Sequence, residues 1–358
     1  MTANNYSFQV LDFRFWICNT IVKLSNRQIV KFIYYLLPIA YCLLASSCTK
    51  TIDVIIPDSA EQVVVEGTIE NNAPPVVILT KSQKFFGTID LNNLGNYFVH
   101  GADVTVTGSD GTSTTLVELC LQGLNLPQEQ QDILLNALGF STVDSANIPN
   151  VCVYTIPDIA NYFLTGTASF TGKERTSYAL NIKAPGFSGG DSIHLISTTY
   201  IPTAVGMDSI SIREATDARY RDSMVALYSN VSVPDTFGNF LRYKTKRNSE
   251  PYYTPTTGGS VWDDKLWVGL QIALPIERAQ DPNAKIDFNT NFLFYKGDTI
   301  SVKWSNIDSK TYDFFYTLEN DGGDSPYSQP IRIKSNISNG LGVWAGYATK
   351  YYEVVVPK

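Results

Sequence analysis

The chain has 358 residues, of which 17% are charged and 44% hydrophobic, a composition that excludes intrinsic disorder and is rich enough to bury a core. Lys and Arg number 27 against 34 Asp and Glu, for a formal net charge of -7, and no basic patch offsets this. That excess of carboxylates argues against nucleic-acid binding, because phosphate affinity rests on Lys and Arg.

Lys23, Arg27 and Lys31 lead into an uncharged apolar run from Phe32 to Ala45, and Ala45, Ser46 and Ser47 stand directly before Cys48. A basic approach, a short apolar stretch and a small-residue cleavage site form a secretory signal. A cysteine at the cut marks Cys48 as the residue that carries the lipid. The run is shorter than the roughly twenty apolar residues a spanning helix needs, and Pro38 interrupts it. Ala45 stands where bacterial lipoproteins usually carry Leu. Residues 1–47 are read as lead-in and signal peptide, and 48–60 as a lipidated tether. Without the leader, 23 basic residues face 33 acidic ones.

Strands follow. Val63 to Ile69 and Val76 to Lys81 flank turn residues Asn71 to Pro75. From Ala102 to Val117, Val104 and Val106 alternate with Thr105 and Thr107 around the turn Ser109-Asp110-Gly111, a hairpin pattern. The segment from Leu121 to Gly166 interrupts the strands: Pro127, Glu129, Asp132 and Gly139 outline one helix, and Pro157 to Leu164 suit a helical turn. Cys120 and Cys152 bracket most of this inserted segment. Two cysteines left over in an exported chain suggest one disulfide, with two buried thiols as the alternative. No His or third Cys lies nearby in sequence, so no metal site is expected.

Strands resume at Thr176–Lys183 and Ser192–Thr199. A break at Ile201, Pro202, Thr203 and Gly206 places a domain boundary between 203 and 204. Beyond it, strands are expected near 207–213, 224–233, 239–246, 266–274, 291–294, 299–304 and 348–356. The best helix of this half spans 308–319, capped by Asp308 or Ser309. The fold class is mainly β: an N-terminal immunoglobulin-like β-sandwich over 61–203 with the insertion near 121–166, then a β-rich domain over 204–358 carrying one helix.

Catalytic motifs are scarce. There are two histidines, His100 in a loop and His194 on a sheet face, and no HExxH, phosphate loop, G-x-S-x-G or zinc cysteine set. Carboxylates pair at Asp263 and Asp264 and cluster at Glu319, Asp321 and Asp324, where a solvated turn is favoured over a calcium loop. Tyr252, Tyr253, Trp262 and Trp267 form an aromatic cluster beside acids, suited to stacking on sugars or anchoring a partner, or else to core packing. No cofactor and no enzymatic activity are expected.

Asp followed by Ser or Thr and an apolar residue recurs more often than composition predicts, placing acceptors at Ser59, Ser145, Ser192, Ser209, Ser223 and Thr299. The triplet resembles the O-glycosylation sequon of exported Bacteroidota proteins.

The segments VVVEGTIENNAPPVVILTKSQKFF and VHGADVTVTGSDG resemble the start of a Bacteroidota lipoprotein family, domain of unknown function four-two-four-nine. The closing SPYSQPIRIKSNISNGLGVWAGYATKYYEVVV is similar to that family's ending, N-P-F-S-x-P, then S-N-I, then G-L-G-x-F-x-G-Y. Ser325-Pro326-Tyr327-Ser328 stands for the first element, and Trp344 replaces the usual Phe. The resemblance implies an outer-membrane, cell-surface lipoprotein, encoded beside a TonB-dependent transporter and serving it by substrate capture or gating. It carries over no catalytic residues. A surface adhesion or structural module is the alternative, and a glycan-directed enzyme ranks below both.

Overall fold

The computed structural model describes residues 60–82, 95–120, 151–281, 284–320 and 332–358. Cys48, Ser59, Ser145, Asp321, Asp324 and the expected helix near 127–138 lie outside the described residues. Residues 59–358 form one compact unit.

The mainly-β expectation holds. Strands β1 (Val63–Glu70), β2 (Val76–Lys81), β3 (Asp103–Gly108), β4 (Ser113–Cys120), β5 (Cys152–Thr155), β6 (Thr176–Ala184) and β7 (Ile193–Ile201) make up the first half. The second half contains β8 (Ser209–Glu214), β9 (Met224–Ser232), β10 (Phe240–Arg247), β11 (Val261–Asp263), β12 (Gln271–Pro275), β13 (Leu293–Tyr295), β14 (Thr299–Ile307) and β15 (Leu341–Val355). Two α-helices are described, α1 (Ile159–Thr165) and α2 (Ser309–Glu319). The period-two alternation is visible in burial. In β7, Leu195, Ser197, Thr199 and Ile201 point inward, while His194, Ile196 and Tyr200 are exposed.

Eleven strands form one sheet in the order β11-β10-β14-β15-β1-β2-β5-β4-β3-β6-β7, and β9 pairs with β8, β12 and β13 in a second. The seam is β15. Its first part, Leu341–Tyr347, pairs parallel with β1, and its second part, Ala348–Val355, pairs antiparallel with β14. Hydrogen bonding therefore crosses the division expected at 203–204. Two apolar clusters form: Val65, Ile69, Leu180 and Leu195 of the first half pack with Trp344 of β15 in one, and Leu227, Tyr243, Phe294, Val302 and Trp304 make up the other. The far edge strand β7 returns to β15. Thr199 Oγ1 accepts the Gly346 N–H at 2.8 Å, so the first half folds back over the fully buried Trp344.

Three expectations need correction. The last strand begins at Leu341, not near 348, because pairing with β1 extends it through the glycines. At Gly342 (φ +102°) an added Cβ would lie 1.9 Å from the Val65 carbonyl oxygen, so glycine is what lets the two strands meet. Within the segment read as an insertion, Cys152–Thr155 is a buried strand between β2 and β4. The strand expected over 266–274 shortens to Gln271–Pro275, because residues 264–270 turn, with Trp267 N donating to Asp264 O and Leu270 N to Trp267 O. Helix α2 starts as expected. Asp308 Oδ1 accepts the Thr311 N–H, while its Oδ2 accepts from Thr199 and Tyr200 and so ties the cap to β7.

Candidate functional site

Strand β10 decides where the aromatic candidates go. Its odd positions, Leu241, Tyr243 and Thr245, face the second apolar cluster, and its even positions, Arg242, Lys244 and Lys246, face the other side. Trp262 is registered opposite Leu241 and lands on the odd face. Tyr253 bridges Thr245, and the neighbouring Tyr252 sits under the Lys246 ammonium, 5.2 Å from it, on the even face. The four residues proposed from sequence as one surface are thus split between opposite faces of one sheet.

On the odd face, Trp267, Trp262, Tyr243 and Trp304 form a ladder of rings 5.9, 6.4 and 6.3 Å apart, running from the loop at Trp267 to the core. Beside it lies an open pocket of about 60 Å³, with room for a group of a few heavy atoms. Val231, Leu274, Trp262 and Trp267 wall it, and Asn239 and Asp264 stand at it. The Trp262 indole N–H is buried without a hydrogen-bond partner. The loop after β9 and the turn before β12 meet at this pocket, joined by Val233 N to Leu270 O (2.9 Å) and Gly269 N to Pro234 O (3.2 Å). These loops expose Phe237, Leu266 and Leu270 at 78%, 81% and 52%.

The adjacent carboxylates have fixed partners. Buried Asp264 accepts from Gly238 N (3.1 Å), Asn239 N (3.0 Å) and Asn239 Nδ2 (2.7 Å), so it holds the pocket's loop in place. Asp263 accepts from Lys265 Nζ at 2.8 Å and from the Tyr312 hydroxyl at 3.3 Å. Burial pushes the Asp263 carboxyl upward, but Lys265 outweighs it and holds it below the usual range. Glu319 accepts from the backbone and hydroxyl of Ser260 and joins α2 to the segment before β11.

The even face is a charged network. Tyr351 donates to Glu70 Oε1 at 2.6 Å, Glu70 also pairs with Lys303, and Tyr252 and Tyr351 pack 6.2 Å apart. Arg242 lies 3.4 Å from the Phe315 ring centre and donates to Ser260 Oγ and the Tyr347 hydroxyl. Lys244 stands directly opposite Lys303 across β10 and β14. Burial pushes its ammonium down to about 7, with Arg242 and Lys303 adding repulsion against a weaker pull from Glu66 and Glu70.

The remaining sites fall in separate places. Cys120 and Cys152 are directly opposed on β4 and β5 and form a disulfide. Of the acceptors in the Asp-Ser/Thr triplets, Ser192, Ser209 and Ser223 are exposed, whereas Thr299 is half-buried at the start of β14 and paired with Val355. Among the described residues no helix is long and apolar enough to cross a membrane. The exposed rim of Phe237, Leu266 and Leu270 was missed from sequence. Its signal is apolar side chains in turn-rich segments, where they have no strand face to bury on.

The family model for domain of unknown function DUF4249 matches residues 49–353. No curated protein matches the chain at a significant level.

Proposed function

The chain belongs to the DUF4249 family, and on that premise we propose that it is a non-enzymatic lipoprotein of the outer-membrane surface, held by a lipid on Cys48, that captures substrate for a TonB-dependent transporter. The observation that supports the capture role is the tryptophan-walled pocket, with exposed apolar side chains on the two joined loops beside it. The anchoring role rests on the basic, apolar and small-residue order before Cys48, and Cys48 stands one residue before the family match begins.

The test is a mild-detergent pull-down from native membranes with a tag after the exposed Lys358, followed by mass spectrometry. A transporter recovered at near-equal amount is the expected result. Deleting the chain should then lower uptake of that transporter's substrate. Trp267→Ala should reproduce the loss while leaving the amount of recovered transporter unchanged. A chain recovered alone, with uptake intact on deletion, overturns the accessory reading in favour of surface adhesion.

A further inference from the structure

The disulfide does not stand alone. Glu118 lies two residues before Cys120 and so on the same side of β4, and its Oε1 meets His100 Nδ1 at 2.5 Å. One ligand atom from each of His100, Glu118, Cys120 and Cys152 lies within 4.8 Å of the others. The sequence separates His100 from Cys152 by a hairpin and a long segment, and pairing of β4 with β5 brings them together. The four are graded in depth: His100 is exposed, Glu118 and Cys120 are half-buried, and Cys152 is buried. The cluster therefore has an inner wall and a side open to solvent.

We infer that this cluster is a redox-gated metal site, in which the reduced Cys120 and Cys152 thiolates, the His100 imidazole and the Glu118 carboxylate hold one divalent zinc-class ion. Two thiolates, an imidazole and a carboxylate are the ligand types of four-coordinate zinc, and hard cations such as Mg²⁺ or Ca²⁺ disfavour sulfur. Glu118 is already oriented for the task. Its Oε2 accepts from Gly101 N at 2.9 Å and from the Tyr154 hydroxyl at 3.3 Å, which leaves Oε1 turned to the cluster. Three of the four ligands sit on paired strands, so the frame does not depend on the metal.

The disulfide and the metal-bound dithiol are mutually exclusive states. A dithiol reductant gives two electrons and two protons to the Cys120–Cys152 bond, which breaks to two thiols as the reductant closes to its own disulfide. The incoming M²⁺ then displaces both thiol protons to solvent and takes neutral His100 and ionised Glu118 as its other ligands. Bound metal in turn holds the thiolates apart and slows reoxidation.

The test uses the full chain, reduced with a dithiol that is then removed without oxygen, and titrated with Co²⁺ as the probe. The expected result is one tetrahedral Co²⁺ per chain, seen as intense visible d–d bands with a near-ultraviolet sulfur-to-metal charge-transfer band, displaced by Zn²⁺. The oxidised chain should show neither band. Cys120→Ser/Cys152→Ser in the same chain sets the background from Cys18, Cys42 and Cys48. His100→Ala and Glu118→Gln should each weaken binding by about ten-fold or more. Absence of the tetrahedral signature above that background, or binding by both single variants as tight as the parent's, overturns the inference. Loss of the β-sheet circular-dichroism signal on reduction alone overturns it as well, since the site needs the intact β4–β5 pair.

Discussion

Trp344→Ala tests whether the closing strand is the keystone of the first half. The side chain is fully buried in the first apolar cluster, and its indole N–H donates to the Tyr178 carbonyl at 2.9 Å. Asn336 clamps the same residue from outside, accepting from Trp344 N and donating to Trp344 O, both at 2.8 Å. Truncating a buried aromatic of this size costs about 3–5 kcal/mol through lost burial and the residual cavity. A fold of this size unfolds with an entropy near 0.6 kcal/mol/K, from about 2.1 cal/mol/K per residue, so Tm should fall by roughly 5–8 °C. Trp344→Phe keeps most of the ring and loses the hydrogen bond, so its cost should be about 1 kcal/mol from that bond plus a smaller packing loss. Urea unfolding with an unchanged m-value, alongside a thermal scan, checks both. A Tm shift under about 2 °C for Trp344→Ala, or equal losses for the two variants, would refute the keystone argument.

Gly67 is registered against Trp344, and an added Cβ would lie 2.6 Å from the Trp344 ring. Gly67→Ala should therefore cost about 1–3 kcal/mol by overpacking, and should cost less in a Trp344→Ala background, as a double-mutant cycle would show. Lys244→Met should raise stability at neutral pH. The lysine's folded value is about 7 against an ordinary 10.5. Below about 7 both states are protonated and the full penalty of the buried charge is present. Between about 7 and 10.5 the unfolded chain binds more protons, so parent stability rises with pH; above that window the penalty is gone. The variant should flatten this rise, and urea titrations at pH 6 and pH 10 that show the same slope for both proteins would sink the idea. Cys48→Ser should move the chain from the membrane pellet to the soluble fraction. A chain still released only by detergent would mean an uncleaved anchor.

Residue order alone carried most of the elements of this protein. Apolar runs between turn residues marked β1, β2, β6, β7 and β9, and alternation around the Ser109-Asp110-Gly111 turn marked the β3–β4 hairpin, because such patterns are written locally. Asp308 announced α2 for the same reason, as a cap needs only its own next turn. The even count of exported cysteines pointed to the disulfide. The tertiary structure decided what depends on partners distant in sequence. The parallel pairing of Leu341–Tyr347 with β1 joins the first and last described strands and turns a glycine-rich segment into a strand, which no window of neighbouring residues encodes. Register across β10 sent Trp262 to one face and Tyr252 to the other, although ten residues separate them in sequence. His100 and Glu118 reach Cys152 only through the β4–β5 ladder. Local periodicity says which face of a strand is apolar; the long-range hydrogen bonds that choose its neighbours fix which side chains share a site.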